Sequence, residues 1–312
     1  MLKHYFHPCN ITICLNKNTN IEVLTLLHIL THKHSFFKLR QSESSKLNVD
    51  LEENFLLNSS LGEIRLATSD TCVLLGVNPR YEGSKLNLKL KSRYLKGNFK
   101  TVTIGSLFNL TFSNVALGSN IQILKSLVEG NNLFCQELVN SSNPVLISNA
   151  EIFKREDVCG VSSMIKSLTK HMSLYSQDND QARLNILNST LNDVGFANFN
   201  NLRTIKNKDF RNSAGIYFIN SSFSAPNIKK LLNLKLLNFF QNYKHKNKLL
   251  ITQDSSLEIK QLEKFKKNFD ITNHLHLPNT VFFENSGTYI NTEGGINKVV
   301  KIITPLGQAK SD

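Results

Sequence analysis

Residues 70–82 read Asp70-Thr-Cys-Val-Leu-Leu-Gly-Val-Asn-Pro-Arg-Tyr-Glu82. From Thr71 to Val77 the run is almost wholly apolar and short, the pattern of a strand covered on both faces. Gly76, Asn78 and Pro79 then punctuate it as a strand-to-helix turn. Lys85 to Leu95 (KLNLKLKSRYL) follows as a basic helix, and Lys100 to Ile104 as the next strand. A helix between two adjacent strands returns the chain to the same edge of the sheet, so the strands run parallel and the fold is α/β.

Outward from this unit the alternation continues. Strands are expected at Ile11–Leu15, Phe36–Leu39, Val145–Ser148, Gly215–Asn220 and Leu249–Gln253. Apolar residues at helical spacing predict helices over Ile21–Leu30, Ile121–Glu129, Leu133–Val139, Val158–His171, Leu184–Val194 and Ile228–Tyr243. Asn18 or Thr19 is the expected cap of the first of these. Tyr175–Ala182 reads as a loop, and the tail from Leu275 to Val300 as irregular. The break near Asn140–Asn143 divides the chain into a first α/β domain, residues 1–140, and a second, residues 141–312, with that tail.

Composition narrows the function classes. Hydrophobic residues make up 40% and charged residues 20%, a globular balance. No stretch approaches the roughly 18 apolar residues of a membrane span, so no direct span is expected. The net charge of +13, from 37 Lys and Arg against 24 Asp and Glu, would suit nucleic acid. The basic residues are scattered, however, and gather in no dense run, so no nucleic-acid partner is expected. The richness in Asn, Lys, Ile and Phe and the lack of Trp fit the codon bias of an AT-rich, organelle-type genome.

The chemistry-bearing residues form no recognisable constellation. Five cysteines, Cys9, Cys14, Cys72, Cys135 and Cys159, include no C-x-x-C, so neither a disulfide framework nor an iron–sulfur centre is expected. His28 and His32 share a helix face at the spacing zinc peptidases use, but Ile29 stands where their Glu would be, and His34 adds no carboxylate. His274 and His276 lie on one face of a strand without a nearby Cys or acid. The turn after the strand of residues 71–77 faces a helix start, yet it lacks the several glycines of a phosphate cradle. Ile228, Leu232, Leu236 and Phe239 form a helical stripe that suits a core face better than a membrane surface. No catalytic, cofactor-binding or metal residue is assigned.

Longer strings resemble one family in order and spacing. Asp70–Glu82 resembles its strand and "GTNPR-[FY]-E" turn, Lys89–Thr101 its basic helix and next strand, and Ile104-Gly-Ser-Leu-Phe-Asn-Leu-Thr111 its strand end with "DLT". Leu117-Gly118, Gly130, Phe134-Cys-Gln-Glu-Leu138 and Pro144-Val-Leu-Ile-Ser148 continue in register. Gly287-Thr-Tyr-Ile-Asn-Thr-Glu-Gly294 and Thr304-Pro-Leu-Gly307 are similar to its closing "GT-[FY]-[VI]-N-x-EGR" and "TP-x-G". The family is the large iron–sulfur subunit of respiratory complex I (NADH:ubiquinone oxidoreductase), in its molybdopterin-oxidoreductase-like C-terminal region. The resemblance implies two doubly wound, Rossmann-like domains of the molybdopterin-oxidoreductase type.

It also implies a role and several losses. Gly105-Ser106-Leu107 stands where active molybdopterin enzymes carry "DPR", Gly215–Ile219 ends in Asn220-Ser-Ser without a glycine turn, and Gly295 replaces the family's Arg. No counterpart of the cysteine-rich cluster domain is seen. The expectation is a non-catalytic structural subunit, a split C-terminal fragment without cofactor, in the NADH-oxidising arm on the matrix side of the mitochondrial inner membrane. Its partners would be the cysteine-rich N-terminal fragment and the NADH- and flavin-binding subunits, with Ile11–Asn140 supplying much of the contact. The alternatives are a fragment of an active molybdopterin oxidoreductase and a basic scaffold for organellar nucleic acid.

Overall fold

The structure is a computed structural model that describes residues 10–42, 63–106, 109–174, 184–197, 199, 202–220, 248–254, 263, 266–267, 271–305, 307 and 309. The expected loop Tyr175–Ala182 and the expected helix Ile228–Tyr243 lie outside the described residues. The chain forms two compact units, and each draws on separated stretches.

The first unit comprises residues 1–44, 190–290 and 296–312. It is built on six parallel strands: β1 (Ile11–Leu15), β2 (Phe37–Gln41), β8 (Arg203–Thr204), β9 (Gly215–Ile219), β10 (Lys248–Asp254) and β11 (Ile271–Pro278), in the order β11-β10-β9-β1-β2-β8. Helix α1 (Ile21–Lys33) packs Leu24 into the core, where it meets Ile13, Leu15, Leu39, Phe196 and Ile219. Its cap is Asn20, whose Oδ1 accepts from Val23 N at 3.0 Å. Asn18 or Thr19 was the expected cap, but the Thr19 hydroxyl donates instead to Asn16 O at 2.7 Å, while the helix starts at Ile21 as read.

The second unit comprises residues 45–189 and 291–295. Its five strands, β3 (Thr71–Leu75), β4 (Lys100–Ile104), β5 (Val115–Gly118), β6 (Pro144–Asn149) and β7 (Leu184–Leu187), are parallel in the order β5-β4-β3-β6-β7. All five residues of β3 are buried, as its continuous apolar run requires of a central strand. Burying each large aliphatic side chain stabilises by about 1.5–3 kcal/mol. The turn after β3 leads through α3 (Pro79–Glu82) into α4 (Ser84–Leu95), whose Leu86 and Leu90 join Cys72, Leu74 and Val77 in one core. Further along lie α5 (Gln122–Val128), α6 (Phe134–Val139), a 3-10 turn at Ala150–Lys154 and α7 (Val158–Leu174).

Three expectations fail. Leu184–Leu187 is a strand and not the start of a helix: its four residues are all buried, and β6 offers an open parallel edge that a helix could not complete. A short apolar run fits either periodicity, and here pairing decides. Helix α8 (Asp193–Ala197) starts only afterwards. The tail is regular: besides β11 it forms an antiparallel hairpin of β12 (Gly287–Ile290) and β13 (Ile296–Val299). The Asn291 side chain closes that hairpin by accepting from Glu293 N and Gly295 N, at 3.0 and 2.7 Å. The division at 140/141 fails too, because β6 beyond it pairs with β3 before it in five-residue register. Helix α2 (Glu63–Thr68), β5 and the 3-10 turn are additions that hydrophobic patterning did not mark.

Candidate functional site

In an open parallel sheet, ligands sit beyond the carboxyl ends of the strands where the strand order reverses. Each sheet has one such place. In the second unit it lies between β3 and β6, since β4 and β5 extend one way and β7 the other. In the first unit it lies between β1 and β9.

At the β3/β6 end the chain turns sharply at Gly76, whose φ of +62° places it in the left-handed region. A Cβ there would stand 3.0 Å from Ile152 Cδ1, so glycine also admits the 3-10 turn after β6. Three amides that could meet an anion are already engaged. Glu82 Oε2 accepts from Asn78 N at 3.2 Å and from Asn149 Nδ2 at 3.0 Å, while Asn149 Oδ1 takes Glu151 N at 2.8 Å. Burial pushes the Glu82 carboxyl up despite these donors, and Glu151 nearby adds to the rise. Arg80 does not turn into the crevice: it donates to Asn109 O at 3.4 Å and lies over the Tyr81 ring.

At the β1/β9 end the loop after Leu15 is held in several directions. Asn16 Nδ2 donates to Asn220 O at 2.9 Å, and Asn192 Nδ2 to Thr19 O at 2.8 Å. Asn220 adopts φ +53°, doing the work of the expected glycine turn, and its Oδ1 accepts from Asn279 Nδ2. Lys17, buried, forms an ion pair with the equally buried Asp193, and Asp193 Oδ2 also accepts from Thr190 N at 3.2 Å. The ammonium is thereby neutralised from within. Asn16 Oδ1 is buried and without a partner among the described residues, and it is an acceptor.

The other candidates scatter. His28 and His32 bring their Nε2 atoms to 3.0 Å, and His28 packs edge-on against Phe199. His34 lies against Phe36 and Phe37. His274 Nε2 and His276 Nδ1 converge on the buried Thr252 hydroxyl at 2.9 and 3.1 Å, and burial lowers the His274 pKa, helped by Lys266 and His276. No three His, Cys, Asp or Glu side chains gather to hold a metal among the described residues. Cys14 and Cys72 are buried, and desolvation pushes the Cys72 thiol up to about 12. No helix among the described residues is long and apolar enough to cross a membrane. A groove of about 640 Å³ in the second unit runs between α2 and α4, lined by Leu66, Leu88, Lys89 and Arg93. Lys17, Asp193 and the role of Glu82 were not singled out in the sequence. Each depends on a partner far along the chain, so no local spacing marks it.

Two all-parallel sheets, each with a reversal of strand order, define an open-sheet α/β protein. The molybdopterin oxidoreductase model matches residues 10–312, and the chain belongs to that family. Among curated relatives, it is 26% identical over 276 residues to the NADH-ubiquinone oxidoreductase 75 kDa subunit of Reclinomonas americana, covering 85% of this chain and 35% of the relative. It is 27% identical over 267 residues to a NADH-quinone oxidoreductase subunit of Rickettsia bellii, covering 86% and 35%. The chain thus spans about a third of the length of the curated relatives it matches. A chain of the formyltransferase/hydrolase complex of Methylorubrum extorquens, solved with methylofuran, shares the fold at TM-score 0.51 and 10% identity, over 93% of this chain and 85% of that one.

The family name implies a molybdopterin. The described residues at the two crevices do not fit the phosphates of such a group. A carboxylate stands on the amides of one, and the lysine of the other is already paired. The orphaned Asn16 Oδ1 would repel a phosphate oxygen rather than bind it.

Proposed function

We propose that this chain is a non-catalytic structural subunit of the NADH-oxidising peripheral arm of respiratory complex I. It supplies the molybdopterin-oxidoreductase-like part of the large iron–sulfur subunit. The observation that carries the reading is the likeness to the NADH-ubiquinone and NADH-quinone oxidoreductase subunits over 85% or more of the chain. The filled crevices support it, since a chain kept for packing has no need to leave amides and lysines open to a cofactor. The clusters belong to the cysteine-rich part of that subunit, and electrons pass from NADH and flavin to ubiquinone without entering the two units described here. The assembly faces the mitochondrial matrix at the inner membrane, and the expected partners are the cysteine-rich fragment and the NADH- and flavin-binding subunits.

Depletion tests it. Without this chain the peripheral arm should fail to accumulate, and NADH-dependent ubiquinone reduction in isolated membranes should fall at least tenfold. Normal assembly and normal NADH oxidation after depletion would refute the reading.

A further inference from the structure

A strip of apolar side chains stands in water on the first unit. Val281, Phe282 and Phe283 form and precede a 3-10 turn, and Val300, Ile302 and Ile303 follow β13. The two segments are one surface, because Phe283 O accepts from both Ile302 N and Ile303 N, at 2.8 and 3.2 Å. Ile302 is 78% exposed, Val300 65% and Phe283 57%, and the other three are exposed as well. With aromatic side chains presenting roughly 150–250 Å² each, the six together leave on the order of 600 Å² of apolar surface uncovered. That is the upper end of what a monomer normally shows, and it approaches the roughly 800 Å² per partner of a stable interface.

The strip is held in this exposed form. Phe282 packs edge-on against Phe283 and tilts against Tyr289, which is buried, so the rings cannot turn inward without displacing core. Its charges are one-sided. Glu284 is turned back to cap Val281 N at 3.2 Å, whereas Lys301 beside Ile302 is exposed. Two copies of a chain carrying +13 would meet here lysine to lysine, with no outward carboxylate among the described residues of the two segments.

We propose that this strip is where the chain docks on a different subunit, one presenting an apolar patch rimmed by acidic side chains. The inference rests on the complex I reading and deepens it. It moves the main contact from Ile11–Asn140, where the sequence alone put it, to residues 281–303.

The test compares the NADH-oxidising assembly purified from source membranes with the full chain expressed alone. Amides of residues 281–284 and 300–303 should exchange hydrogen at least tenfold more slowly in the assembly. A zero-length carbodiimide should link Lys301 to an Asp or Glu of another subunit. Phe283→Glu and Ile302→Glu chains should keep their circular dichroism yet enter the assembly at less than a tenth of the normal level. Equal exchange in an assembly that contains the chain, with the variants incorporated normally, overturns this inference and leaves the functional reading standing. Protection in the free chain that matches the assembly's also overturns it: if lost on dilution it reveals self-association, and if concentration-independent it reveals cover by the chain's own residues. Absence of the chain from the assembly overturns the functional reading itself.

Discussion

The residues that close the two crevices explain the most about this chain. Lys17 and Asp193 are each buried, and a charge in that setting is tolerated only because the other is there. Removing one leaves the other uncompensated, so Asp193→Ala should cost about 3–5 kcal/mol of unfolding free energy in urea denaturation. Replacing both with apolar residues, as Lys17→Met with Asp193→Leu, should cost far less than the single change. Equal losses in the single and double variants would show that the pair's charges do not matter to the fold. Neither residue was legible as a pair: 176 positions separate them, and Asp193 fell inside a run read as helical. Glu82 was visible, as the end of the string that decides the fold. Its engagement was not, because Asn149, 67 residues on, supplies one of its donors.

Elements with a continuous apolar run and clear punctuation were legible almost to the residue. Ile11–Leu15 and Lys100–Ile104 occur as read, and Thr71–Val77 is shorter by two only because Gly76 turns the chain. Those set by a partner were not. Leu184–Leu187 becomes a strand because β6 has a free edge, and Gly287–Val299 becomes a hairpin because its turn is closed by Asn291. The hairpin is also tied to α1. Glu22, in the first turn of α1, accepts from Thr288 N at 3.0 Å and from its hydroxyl at 2.5 Å. Burial alone would raise this carboxyl, but the two Thr288 donors and Lys298 bring it net below the ordinary 4.5. A carboxyl lowered in the folded state stabilises above its unfolded pKa, and that contribution is lost as pH falls through the folded value. Stability followed from pH 6 to pH 3 should therefore decline less steeply in Glu22→Gln than in the natural chain. As the pair is exposed, the difference at pH 6 should stay under about 1 kcal/mol. Identical acid limbs would mean that Glu22 makes no such tie.

At the scale of the whole chain, the α/β class and the parallel sheets were legible from strand–helix alternation, and the family from strings that hold their order over the length. The division into units was not. The first unit takes its strands from both ends of the chain, and hydrophobic patterning carries no record of which distant strands become neighbours. At both crevices the described side chains pair with one another, while an apolar strip stays outside the core. The structural role proposed above accords with such pairing and such a face. The most direct measurement is the stoichiometry of this chain, iron and molybdenum in the NADH-oxidising assembly resolved from source membranes. One copy of the chain per flavin, iron that stays with the cysteine-rich part of the assembly, and no molybdenum are expected. A band that oxidises NADH without this chain, or molybdenum at one equivalent per copy of it, would contradict the account.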